Sequence, residues 1–272
     1  MHLSLLEEGS LPCLALLFIL GAIVFRFLRE EPEPKTSDVI DRGDSSTACS
    51  LSPFCEKLEL FLRMAALDFK AIDGNVVTAP KAKLPMIEHG ENLVPDSELA
   101  IRYLINTFGE NKTHLGRIRI KLTPEEQARS VLLTNVTNDS LYQLLLHARW
   151  VDLSVWNVVK GLYFGDLPLP FRLLIVPSIR RNMVGWLWGH GYSRYSQKDR
   201  VWLARREIDA LATILGDHPY FNGDEPTPVD AAVFGILDNC IYGIGSVYGI
   251  RDHVQTKKNL VAFVEGIRQE FF

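Results

Sequence analysis

Four residues, Ser52-Pro53-Phe54-Cys55, followed at once by the amphipathic run Glu56 to Leu67, constrain this chain more than any other stretch. They have the form of a thiol-redox loop, cysteine-proline-aromatic-cysteine at the mouth of a helix, with serine in place of the first cysteine. In such a loop the first side chain sits at the helix N-terminus, where unpaired backbone N–H groups and the helix dipole stabilise a thiolate. A serine there forms no mixed disulfide, but its hydroxyl can donate a hydrogen bond to the thiolate of another molecule. The expected chemistry moves from redox exchange towards thiol binding. By itself the loop is a weak signal, because a serine N-cap followed by proline opens many helices.

A chain of 272 residues is long enough for two modest domains, each with its own core. The net charge of -4 argues against nucleic acid as a partner. Cys13, Cys49, Cys55 and Cys240 show no paired spacing of a zinc site or a secreted disulfide framework, which suits a reducing compartment and no metal. Leu11 to Phe25 carries no charge, and with Arg26, Phe27 and Leu28 it reaches the roughly 17 to 25 residues that a spanning helix needs. Glu7 and Glu8 stand where a signal peptide would be basic, so an uncleaved single-pass anchor is expected over Leu11 to Leu28. Arg26 and Arg29 follow it, which places the bulk of the chain on the cytosolic side. Three glycosylation patterns, at Asn111, Asn135 and Asn138, are then chance matches to a short motif.

Glu30 to Lys35 is an acid-proline linker, so residues 1–35 read as anchor and linker. A weak strand is expected within 38–41, a helix from Ser52, and a short strand from Asp68 to Ile72. Leu84 to Glu88 and Leu93-Val94, around His89 to Asn92, form a hairpin pattern. Asp96-Ser97 then opens a second amphipathic helix. This arrangement defines a small α/β domain over 36–110. After a loop at 109–122 the pattern is helical to the end, giving an all-helical domain over 111–272. Thr123-Pro124-Glu125-Glu126 is a capping box that opens a run to about Tyr163, and Pro168, Pro170 and Pro177 punctuate the next stretch. Helices are expected from Ser196 to near Gly216, from Thr227, and from Lys257 to Phe271. The one from Thr227 is apolar all round and reads as the centre of the bundle.

Asp96-Ser97 gives a helix N-terminus at which N–H groups, dipole and hydroxyl converge, suited to a carboxylate or to simple capping. Thr227-Pro228-Val229-Asp230 reads as a folding element, with Asp230 reaching back to the Thr227 backbone. His147, His190 and His253 lack ligand spacing. Arg194, Arg200, Arg205 and Arg206 read as a solvated helix face. Cys49 and Cys55 make a poor soft-metal site, six residues apart on a loop.

Several segments together resemble the glutathione S-transferase superfamily and, within it, the failed axon connections (Fax) family, which includes cadmium-responsive proteins and is related to metaxins. The segments are Leu51-Ser52-Pro53-Phe54-Cys55 with Lys57-Leu58-Glu59, Leu84-Pro85-Met86-Ile87-Glu88, Asp96-Ser97-Glu98, His147-Ala148-Arg149-Trp150, Gly189-His190-Gly191 and Thr227-Pro228-Val229-Asp230-Ala231. The resemblance runs from about residue 36 to the end. It implies an α+β fold: a thioredoxin-like N-terminal domain, an all-helical C-terminal domain, and a membrane segment in front.

The resemblance also implies glutathione as ligand or co-substrate. Ser52, or alternatively Cys55, would meet its sulfur. Leu84 would offer backbone beside Pro85, where thioredoxin-like domains carry a cis-proline, and Asp96 with Ser97 would take the γ-glutamyl end. Conjugation to electrophiles in stress or detoxification is one expected outcome. The other is a non-catalytic, metaxin-like membrane adaptor that works through protein partners or a homodimer. One departure stands out. Relatives have a firm hydrophobic first strand, and here only Val39-Ile40 remain, broken by Asp41, Arg42 and Asp44.

Overall fold

Serine, proline and an apolar stripe start the first helix where the sequence places it. In the computed structural model, which describes residues 48–71, 84–165, 167–244 and 248–272, helix α1 spans Pro53–Met64 with Ser52 as its N-cap. The expected anchor Leu11 to Leu28, the linker and the weak strand at 38–41 lie outside the described residues. All described residues fall within one compact unit. Among them, no helix is long and apolar enough to cross a membrane.

Strands β1 (Met86–His89) and β2 (Asn92–Pro95) pair antiparallel, with Met86 opposite Pro95 and His89 opposite Asn92. Gly90 takes φ +59° in the turn, a conformation that favours glycine. Helix α2 (Ser97–Phe108) comes next without a break. The strand expected at Asp68 to Ile72 does not form over Asp68–Ala71, and Ile72 lies outside the described residues. That stretch is exposed, and its backbone pairs with no strand among the described residues. Within the expected loop at 109–122, two residues each of β3 (His114–Leu115) and β4 (Ile118–Arg119) form a small hairpin.

The helical run from Thr123 is segmented. Its capping box is intact: the Glu126 amide donates to Thr123 Oγ1 at 3.2 Å and the Thr123 amide to Glu126 Oε2 at 2.8 Å. Helix α3 (Pro124–Asn135) passes through a wider π turn at Val136–Leu141 into α4 (Tyr142–Trp150). At Asp152 the chain restarts, that side chain accepting from the Ser154 amide at 2.9 Å to open α5 (Leu153–Phe164). Of the three prolines after α5, Pro168 and Pro170 mark a helix start, and only Pro177 lies inside a helix. Helix α6 runs from Leu169 to Gly189, with Pro170 in the first turn, where its missing N–H has no partner to lose, and Pro177 inside. Helices α7 (Gln197–Leu215), α8 (Pro228–Ile241), α9 (Ile250–Gln255) and α10 (Lys258–Phe271) complete the fold.

Helix α8 is central: every residue from Val229 to Ile241 is buried. A helix covered on all sides can be apolar on all sides, as its sequence is. Its closest neighbour is α1, because Gly235 lets the backbones meet. A Cβ at Gly235 would stand 2.4 Å from the Pro53 carbonyl oxygen. Leu58, Phe61 and Met64 of α1, Ala100 and Leu104 of α2, and Val233, Phe234 and Leu237 of α8 share one core. A second, smaller core joins Leu146 and Trp150 of α4 to Trp156 and Val159 of α5 and Val176 and Leu187 of α6.

Asp230 supports the start of α8. Its Oδ2 accepts from the Thr227 amide at 2.7 Å and hydroxyl at 2.8 Å, and its Oδ1 from the Phe221 amide at 2.7 Å. Full burial pushes its carboxyl up to about 6, against the pull of these bonds. Arg200 is not part of a solvated face: it is buried, bonds the Tyr195 carbonyl and lies over the Tyr248 ring.

Candidate functional site

The site grows from the mouth of α1. Ser52 has extended backbone (φ −104°, ψ 113°), and its Oγ accepts from the Cys55 amide at 3.3 Å. That satisfies one orphan donor of the helix and leaves the hydroxyl proton for an acceptor outside the backbone. Burial pushes the Cys55 thiol above its ordinary value; the Ser52 hydrogen bond works against this and Glu59 reinforces it. Cys55 is therefore held as the thiol, a poor nucleophile. The Phe54 ring meets Tyr142 of α4 edge-on, with centroids 4.6 Å apart.

The Leu84–Pro85 peptide bond is cis. Pro85 leads into β1, and its carbonyl accepts from the Asp96 amide at 3.0 Å. Asp96 sits at φ 77°, and its Oδ1 accepts from the Glu98 and Leu99 amides at 2.9 and 3.3 Å. Ser97, the next residue, is buried. The fold thus joins Leu84-Pro85 to Asp96-Ser97 at the base of the β1–β2 hairpin. Two donors of the α2 terminus are already taken by the Asp96 carboxylate, which adds negative charge where a ligand carboxylate would otherwise gain most. Helix α1, which Ser52 opens, packs on α2, with buried Lys57 forming an ion pair with Glu98.

Behind Ser52 lies a polar clasp that the sequence did not announce. Arg149 of α4, 3% exposed, donates to the Leu51 carbonyl and to Asn239 Oδ1, both at 2.6 Å. The Asn239 amide donates to Glu56 Oε2 at 2.7 Å and to the Ser50 carbonyl at 3.2 Å. Asp238 accepts from Arg268 at 2.5 Å and from the Cys49 amide at 3.1 Å. Residues 49–51, which lead into Ser52, are therefore held from α4 and α8. Burial, and then the charge of Asp238, push the Glu56 carboxyl well above the carboxylate range. Burial, Asp238 and Glu56 push the Cys49 thiol up to about 12. Cys49, Glu56 and Asp238 bring possible ligand atoms within 4.8 Å of one another, a grouping their spacing in sequence conceals.

Sequence reasoning quoted Arg149 within a motif but gave it no role, and passed over Glu56, Asp238 and Asn239. The available signal was an ionisable residue at an apolar-face position of a helix: Glu56 in α1, Arg149 in α4. The histidines have structural roles. His147 Nδ1 lies 2.9 Å from the Tyr248 hydroxyl, and burial, helped by the nearby Arg200 charge, lowers it to about 4. His253 lies 2.9 Å from Asp209, and His190 is exposed near Asp139.

Residues 53–155 match the glutathione S-transferase N-terminal domain family, and residues 204–267 a glutathione S-transferase C-terminal domain family. A likeness in fold extends to the β-etherase LigF from Sphingobium sp. strain SYK-6: TM-score 0.56 and 16% identity, over 80% of this chain and 92% of that one. The protein is glutathione S-transferase-like, a thioredoxin-like N-terminal domain followed by a helical C-terminal domain.

Within that class it is related to failed axon connections and the metaxins. It is 27% identical to Drosophila melanogaster failed axon connections, over 82% of this chain and 55% of that protein. It is 26% identical to Mus musculus metaxin-2, over 92% of this chain and 94% of the relative. It is also 27% identical to the isoprene-epoxide glutathione S-transferase of Rhodococcus sp. (strain AD45), over 81% of this chain and 93% of the relative.

Proposed function

We propose that this protein binds glutathione at the corner formed by Ser52, the Leu84-Pro85 backbone and Asp96-Ser97. The observation that carries the reading is the Ser52 hydroxyl at the N-terminus of α1, its oxygen taken by the Cys55 amide and its proton directed at the Cys55 sulfur, which a ligand sulfur would replace as acceptor. The helix terminus and that hydrogen bond lower the pKa of a bound thiol. The resulting thiolate attacks a carbon of an epoxide, the electrophile in the name of the Rhodococcus relative, forming a thioether as the ring C–O bond breaks and the released alkoxide takes a proton from water. A role in stress or detoxification would follow from that chemistry. Leu11 to Leu28 anchors the chain in a membrane, with the two domains, 36–110 and 111–272, on the cytosolic side.

The test uses the full chain. Retention on immobilised glutathione and turnover of a chromogenic electrophile are expected, with Ser52→Ala lowering turnover about tenfold through loss of one charge-assisted hydrogen bond. Folded protein that shows neither retention nor turnover rules the reading out.

A second reading is favoured by the metaxin-2 relation, which covers nearly the whole of both chains. Here the fold is a membrane-tethered adaptor for protein partners or a second copy. It expects Ser52→Ala to leave function unchanged, and disruption of Leu11 to Phe25 to abolish it.

A further inference from the structure

Residues 156–203, most of the α5–α6 hairpin, fall between the two family matches. The hairpin is firmly built, with its own small core and with Arg180 donating to the Trp150 and Val151 carbonyls at 2.9 and 3.1 Å. Its outside is unlike the rest of the surface. Nine of the seventeen exposed large hydrophobic residues described lie between Leu153 and Trp188. Leu173, Leu174, Pro177, Arg181 and Trp188 are all exposed, and their spacings of three, four and seven put them on one face of α6. Leu174 is 74% exposed, Leu173 66% and Trp188 58%.

Beside that face, a half-open cleft of about 840 Å³ runs between α5 and α6. Lys160, Arg172, Arg180 and Arg181 line it together with Trp156 and Leu173, and no acidic side chain does so among the described residues. The whole chain carries -4, yet residues 153–189 hold four cations against one acid. An anionic surface would be repelled by most of this protein and attracted here. Leucine, tryptophan and arginine on one helix face match the boundary between headgroups and acyl chains. The three arginines of α6 suit a helix lying on a bilayer rather than crossing one.

We propose that the outer face of the α5–α6 hairpin docks on a bilayer surface carrying anionic phospholipid. Leu173, Leu174 and Trp188 enter the boundary, while Lys160, Arg172 and Arg181 meet the headgroups. The proposal is independent of glutathione binding and of the N-terminal run.

Bromine-labelled acyl chains test it by contact quenching. The full chain is mixed with phosphatidylcholine vesicles, with or without phosphatidylserine, and compared with Trp188→Phe. The Trp188 share of the emission is quenched on phosphatidylserine vesicles and recovers with added salt. Arg181→Glu weakens partitioning about tenfold, and Leu173→Glu/Leu174→Glu abolishes the Trp188 quenching with the circular dichroism unchanged. Quenching of equal size in Trp188→Phe overturns the proposal, because another segment then makes the contact. So does self-association without vesicles that Leu173→Glu/Leu174→Glu removes, since a second copy then covers the face.

Discussion

The clasp between α1 and α8 and the hairpin of α5 and α6 use the same residue types in opposite ways. In the clasp, Arg149, Glu56, Asp238 and Asn239 are buried; hydrogen bonds tie Arg149, Asn239 and Glu56 to one another and to the carbonyls of Ser50 and Leu51, and Asp238 to Arg268 and the Cys49 amide. In the hairpin, arginines and lysine share an exposed face with leucine and tryptophan. A buried charge is expensive to strip of its partners, so the clasp should govern stability and the pose of Ser52. An exposed apolar side chain contributes little to the folded state, so the hairpin should be silent in unfolding and visible only in contact with a partner.

Removing Arg149 should break that contrast most severely. Arg149→Ala leaves the Leu51 carbonyl and Asn239 Oδ1 unpaired in the interior, and about 3–4 kcal/mol of stability should be lost in urea unfolding. A change below about 1 kcal/mol would mean the clasp is no firmer than the surface. Acid should act next. His147 is buried and neutral, its folded value near 4 against an ordinary 6.5. The unfolded chain therefore binds the extra proton first, and stability falls as pH drops from 6.5 to 4, by on the order of 3 kcal/mol. His147→Gln should flatten that part of the stability-pH curve; an unchanged slope would place its origin elsewhere.

Ser52→Ala removes the cap of α1 and should cost about 1 kcal/mol, measured by thermal unfolding. Glu56→Gln should cost less than about 1 kcal/mol, because a neutral carboxyl and an amide can both accept from the Asn239 amide. A much larger loss would show that Glu56 is ionised in the fold. Leu173→Ser/Leu174→Ser should move the unfolding midpoint least, by about 0.5 kcal/mol or less. A larger shift would mean that the hairpin face is covered within the molecule itself.

Local features were legible where their cause was local. Ser52, Asp96, Thr123, Ser196 and Thr227 were each read as opening a helix, because a cap is satisfied by amides two or three residues away. The β1–β2 hairpin was also legible, from its alternation and its Gly90 turn. Reading proline as punctuation held at Pro168 and Pro170, where α6 starts, and failed at Pro177 inside it. Proline constrains only its own φ and one hydrogen bond, and packing of Val176 and Leu187 into the second core holds the helix through Pro177. The strand at Asp68–Ala71 failed for the converse reason, since a strand needs a neighbour that its own sequence does not specify.

For the site, the sequence determined which residues stand at each helix mouth and hairpin end: Ser52, Cys55, Leu84, Pro85, Asp96 and Ser97. Their chemistry was settled by tertiary structure. Burial made Cys55 a protonated thiol, and residues 183 and 90 positions apart brought Glu56, Arg149 and Asn239 into one network. Capping is a contact within one turn, so a single stretch of sequence encodes it. Desolvation and long-range hydrogen bonds depend on which segments meet, and only the packing of α1, α4 and α8 decides that.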